Sequence, residues 1–125
     1  MPRSKKQNKP VYIDKWPEYS GQMCNLGKCH FSVARLIDLS KDFEVMDVPL
    51  RHLNIYSTYE KLTLRQFVEH MRAILDADLS FPIILDEDGE LMDGRHRIMK
   101  AMFENKTTIK AVRFDTNPPA CKVDE

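Results

Sequence analysis

The sequence predicts a small α+β domain. Three observations carry that expectation. The chain is 125 residues long and 42% hydrophobic, enough for one packed core. Apolar residues recur at helical spacing in three stretches, near 32–41, 64–76 and 95–104. Between and after them lie short runs of strand character, at 45–50, 81–85, 90–92 and 107–114.

Taken in order, residues 1–10 hold Arg3, Lys5, Lys6 and Lys9, no acid, and end in Pro10, the composition of a disordered basic tail. Residues 11–43 read as an N-terminal arm and helix. The arm is irregular at Trp16-Pro17 and Ser20-Gly21 and is expected to pack through Tyr12, Ile13, Trp16 and Tyr19. Phe31, Ala34, Leu36 and Ile37 then give a helix over about 32–41.

Residues 44–114 form the predicted main domain. Val45 to Leu50 is a short strand. Thr63 followed by Gln66 is a capping box, in which each side chain meets the other's backbone N–H. Behind it Leu64, Phe67, Val68, Met71, Ile74 and Leu75 make one apolar stripe, so 64–76 is an amphipathic helix. Phe81-Pro-Ile-Ile-Leu85 is a buried strand, and the turn Asp86-Glu-Asp-Gly89 returns the chain as Glu90-Leu-Met92. Asp93-Gly94 ends that hairpin. A helix over 95–104 follows, with Ile98, Ala101 and Met102 inward and Asn105 as its stop. Thr107 to Phe114 alternates as a last strand, and 115–125 reads as a loose tail.

Charge narrows the function classes. Nineteen Lys and Arg balance nineteen Asp and Glu. A zero total argues against bulk attraction to nucleic acid and leaves a local basic site open. No apolar run approaches the ~18–20 residues that span a bilayer, and the N-terminus lacks the apolar stretch of a secretory signal, so a cytoplasmic protein is expected. The three cysteines, Cys24, Cys29 and Cys121, fit a disulfide scaffold poorly. Reduced thiols beside a surface or capping His30 are the favoured reading. Zinc on Cys24, Cys29 and His30, with Cys121 as a further thiolate, is the alternative.

The balance is not uniform along the chain. Residues 76–93 hold seven acids and no base, while 95–113 hold six bases against Glu104. The two stretches meet at Asp93-Gly94-Arg95-His96-Arg97. A glycine there lets the backbone turn sharply, the first N–H groups of the following helix lack an intrahelical partner, and arginine offers paired donors to phosphate oxygens. Together they suit a multiply charged anion. Asp93 could cap the helix, orient an arginine, hold Mg²⁺ or take a proton. Arg97 could instead pair with Asp86 or Glu87 in the acidic turn.

Leu91-Met-Asp93-Gly94-Arg95-His96-Arg97-Ile-Met-Lys-Ala101, with Phe81-Pro-Ile-Ile-Leu85 before it and Val48-Pro49-Leu50 earlier, resembles the ParB/sulfiredoxin superfamily over about 44–114. The resemblance implies a short mixed sheet with amphipathic helices and a phosphate-binding loop at a helix N-terminus. Arg95 stands where sulfiredoxins have their reactive cysteine, which sets that activity aside. Chromosome-partition proteins have arginines where this chain has His96 and Met99. The D-G-x-H-R form is most similar to the free-serine kinases of the superfamily.

From that likeness follow the expected ligands: a nucleoside di- or triphosphate (ATP, ADP or CTP), with Mg²⁺ as a companion ion and a small-molecule phosphoryl acceptor. Gly94, Arg95, His96 and Arg97 would hold phosphate, with Asp93 organising the site. The kinase base aligns with Ser57, and Glu60 is the nearest carboxylate. Ser57 and Thr58 would line the ligand pocket. The expected function is nucleotide binding, with phosphoryl transfer or nucleotide hydrolysis. The alternatives are a non-catalytic regulatory or DNA-associated module, and a nuclease using Asp86, Asp88 and Asp93.

Overall fold

The computed structural model describes residues 23–56 and 61–124, and these form an α+β fold. The first hairpin pairs β1 (Met23–Leu26) with β2 (Cys29–Ser32). Two residues, Gly27-Lys28, close it, and Gly27 takes the positive φ of 60° that such a tight turn requires at its first position. This hairpin lies in the stretch where the sequence suggests an irregular arm. Its strands are four residues each, too short for their alternation to stand out.

Helix α1 (Val33–Ser40) follows directly, with the Ser32 hydroxyl accepting from the Arg35 N–H as its cap. Strand β3 (Met46–Pro49) and a single 3-10 turn (Leu50–His52) lead toward α2 (Leu64–Asp76). The predicted capping box is present: Gln66 N–H donates to Thr63 Oγ1 at 3.1 Å, and Thr63 N–H donates to Gln66 Oε1 at 2.9 Å.

The hairpin of β4 (Ile83–Leu85) and β5 (Leu91–Asp93) turns on Asp86. The Asp86 carboxylate is buried and accepts from the N–H groups of Asp88 and Glu90, both at 2.8 Å, and Gly89 takes φ 83°. Helix α3 (Arg95–Phe103) ends where Asn105 adopts φ 58°, and β6 (Thr108–Arg113) completes the second sheet.

That sheet runs β3-β6-β4-β5, with β4 and β6 parallel and the outer pairs antiparallel. Ile83, Ile84 and Leu85 are all buried because β4 is central and covered on both faces. Alternation sends its residues to opposite cores. Ile84 joins Met92, Val112 and Phe114 against Cys24, Phe31 and Leu36 of the first hairpin and α1. Ile83 and Leu85 join Ile109 and Ala111 against Ile98 and Ala101 of α3. Residues 23–43 therefore share a core with the predicted main domain.

Three expectations are corrected. The tail after 114 is tied down. Its β7 (Lys122–Val123) pairs with β2 and extends the first hairpin to a three-stranded sheet of order β1-β2-β7. Asn117 and Glu87 exchange hydrogen bonds at 2.7 and 2.8 Å, and Arg35 donates to the Pro119 carbonyl. Met102 is exposed instead of inward. Of the apolar stripe of α2, Ile74 is half-buried and the other five residues are exposed; no residue of that helix is fully buried. The expected tail at 1–10 and the packing of Tyr12, Ile13, Trp16 and Tyr19 lie outside the described residues. Among the described residues, no helix is long and apolar enough to cross a membrane.

Candidate functional site

The D-G-x-H-R segment sits where β5 passes into α3. Gly94 is the N-cap residue, at φ 118°, and offers no capping side chain. Its backbone is pressed against the sheet: a Cβ at this position would fall 2.4 Å from Ile83 Cγ2 and 2.8 Å from Ile83 Cβ. Glycine is thus required by α3 docking onto β4, whatever lies outside.

Asp93 and Arg97, one helical turn apart, form an ion pair at 2.9 Å, each side chain about a quarter to a fifth exposed. The same Arg97 Nη2 reaches the Pro82 carbonyl at 3.4 Å, bridging the entries of β4 and α3. Arg97 Nε is buried with no hydrogen-bond partner. Of the roles open to Asp93, orienting the arginine is the one the geometry displays. The pairing of Arg97 with Asp86 or Glu87 is not made, because Asp86 is committed to its own turn and Glu87 to Asn117. Both turn contacts of Asp86 fall on the same oxygen, Oδ1. Among the described residues, no group of three or more His, Cys, Asp or Glu is placed to hold a metal ion.

His96 Nε2 meets His70 Nδ1 at 2.8 Å, joining α3 to α2. A hydrogen bond between two imidazole nitrogens needs a lone pair on one of them, so at least one ring is neutral while the bond stands. Partial burial, the His70 ring and the Arg95 and Arg97 guanidiniums hold His96 below the ordinary imidazole value; Asp93 opposes them. Lys100, one turn further, donates to the Leu75 and Ala77 carbonyls at 3.0 and 2.7 Å and so caps the C-terminal end of α2. The sequence gives no sign of either contact, since each joins residues more than twenty positions apart. Arg95, at the first helical position, is exposed.

Ser57, Thr58 and Glu60 lie outside the described residues. One cleft, of about 500 Å³, lies under the α2 end between Asp76, Ser80, Lys100 and Lys106.

The cysteines and His30 do not converge. Cys24 and Cys29 face the core side of the first hairpin with Phe31, whereas His30 pairs with Asn25 on the opposite face. Its ring is held between Asn25 Oδ1 at 2.5 Å and Asp124 Oδ2 at 2.9 Å. Burial, with Asp93 and Asp86 adding negative potential, pushes the Cys24 thiol up to about 11.

No family model, curated protein or solved structure matches this chain.

Proposed function

We propose that the start of α3 binds a phosphate-bearing anion, a nucleoside di- or triphosphate, and that Mg²⁺ accompanies the phosphates. One observation carries this reading. The helix begins with Arg95, His96 and Arg97, has no acid in its first turn and has no side-chain cap. Positive side chains at the positive end of a helix dipole cost roughly 0.3–1 kcal/mol each when exposed. An anion at that point turns the cost into attraction and engages N–H groups that the helix itself cannot pair.

Arg95 supplies an exposed guanidinium, His96 a second donor once protonated, and Arg97 is held in place by Asp93. Gly94 contributes the tight docking of the helix to β4, not an opening for the ligand. The resemblance of Leu91–Ala101 to the ParB/sulfiredoxin superfamily supports a nucleotide over a simple anion. On that likeness, phosphoryl transfer or hydrolysis would follow from positioning and charge stabilisation, with Asp93 and Glu60 as the candidate carboxylates and Ser57 and Thr58 beside the ligand.

Calorimetric titration with ATP, ADP, CTP and GTP, with and without Mg²⁺, tests the reading. Arg95→Ala and His96→Ala should each weaken binding about tenfold, while Lys110→Ala on β6 should not. Absence of binding to every nucleotide by the folded protein refutes the site. Release of phosphate, or transfer to an added hydroxyl acceptor, separates an enzyme from a binding module.

A further inference from the structure

The exposed side of α2 is the largest departure from what an amphipathic helix in a folded domain normally shows. Leu64, Phe67, Val68, Met71 and Leu75 recur at helical spacing on one side and are 89, 55, 46, 45 and 57% exposed. They are not the residues that meet α3. His70, Ala73 and Ile74 lie toward α3 and are half-buried. The helix therefore has two apolar sides, and only one has a partner among the described residues. The uncovered side amounts to roughly 600 Å² of apolar surface, at the upper end of what monomers tolerate.

Beside this stripe run four charges, Arg65, Glu69, Arg72 and Asp76. Each arginine precedes an acid by four residues, the weaker order for pairing along a helix. None of the four is in an ion pair among the described residues. Their order, plus-minus-plus-minus, has a specific symmetry. Reversed end to end, it reads minus-plus-minus-plus. An antiparallel second copy would place Arg65 opposite Asp76 and Glu69 opposite Arg72, twice over. A parallel copy would carry the two charge rows to opposite flanks of the pair, where they could not meet.

We propose that this face of α2 is a homodimer interface, in which two copies of the chain pack α2 against α2, antiparallel, about a two-fold axis. The stripe supplies the apolar centre and the four charges the rim that fixes direction. The register places the axis between residues 70 and 71, so Met71 is the stripe residue nearest it. Two stripes bury roughly 1,200 Å² in total, the lower bound for a specific interface, so the dimer is reversible and concentration-dependent. The pairing stands independently of the nucleotide reading, because it uses the side of α2 away from His96.

Sedimentation equilibrium of the full chain from about 5 to 500 µM should show a monomer–dimer equilibrium. Met71→Glu should weaken it at least tenfold and leave the thermal midpoint of the monomer unchanged. Arg72→Glu should weaken it about threefold to tenfold, and adding Glu69→Arg should restore it. Under mild oxidation, Met71→Cys should give a 71–71 disulfide by peptide mapping. Leu64→Cys should not, because antiparallel copies of residue 64 sit about 20 Å apart along the axis. A monomer throughout the range overturns the proposal. So does a dimer indifferent to Met71→Glu, a 64–64 disulfide, or a fall in monomer stability with Met71→Glu, which would mean the chain covers this face itself.

Discussion

Placing alanine at position 94 separates the packing role of the glycine from any role in ligand approach. Two costs can be worked from the geometry. The φ of 118° lies where an L side chain is strained, at roughly 1–3 kcal/mol. The new methyl would sit 2.4 Å from Ile83 Cγ2, and Ile83 is fully buried in the central strand, so relief requires moving α3 or distorting a packed side chain, at about 1–3 kcal/mol. The sum, about 2–6 kcal/mol, compares with a total stability of roughly 6–15 kcal/mol for a chain this size. Urea unfolding followed by circular dichroism should show a lower midpoint, equivalent to a stability loss of that size at an unchanged slope.

A double-mutant cycle sharpens the test. Ile83→Ala removes Cγ2 and alone costs about 2–5 kcal/mol through the cavity it leaves. Combined with Gly94→Ala it should cost at least 1 kcal/mol less than the two separately, because each relieves the other. The cost of φ should remain, and with it the part of the clash due to the Cβ that alanine keeps, 2.8 Å from the new methyl. A loss under 1 kcal/mol for Gly94→Ala, or strict additivity in the cycle, would refute the account of why glycine stands here.

Four further outcomes follow from other contacts. His96 is held below its ordinary value, so the unfolded chain binds the proton more readily; this group's contribution to stability is present above about pH 6.5 and is lost as pH falls toward the folded value, and His96→Gln should flatten that part of the stability profile. Sulfate, whose charge is constant across this range, should bind the α3 start more tightly as pH falls from 7.5 to 5.5 with proton uptake, a trend absent in His96→Gln. Thr63→Ala removes one half of the capping box for about 1 kcal/mol, and because α2 buries no residue the loss should appear as roughly fivefold faster hydrogen exchange confined to that helix. Cys24, buried and with its thiol pushed up to about 11, should resist alkylation at pH 8 while the exposed Cys121 reacts; equal labelling of both in the folded protein would contradict the packing of the first hairpin.

Where local signals dominate, sequence and structure agree closely. The capping box and the 64–76 helix stand at the positions the spacing requires, because an N-cap and a 3.6-residue period depend only on near neighbours. The Asp86–Gly89 turn and the Asn105 stop are likewise local. The stripe of α2 shows the limit. Period reveals that six residues share a side, but not that Ile74 turns toward α3 while the other five stay exposed among the described residues. The tail was unreadable for a related reason: β7 has two residues, and its order comes from His30, Arg35 and Glu87, all far away in sequence.

By itself the sequence determined that acidic and basic stretches meet at Asp93–Arg97 on a strand-to-helix junction, since charge order and turn chemistry are written locally. Only the tertiary structure decided how those residues are spent. It assigned Gly94 to Ile83, Asp93 to Arg97, Asp86 to its own turn and His96 to His70, because each assignment depends on which surfaces meet when β4 is enclosed between two cores. What remains outward at the start of α3 is positive, and the outward side of α2 is apolar. Both follow from a chain that satisfied its interior first.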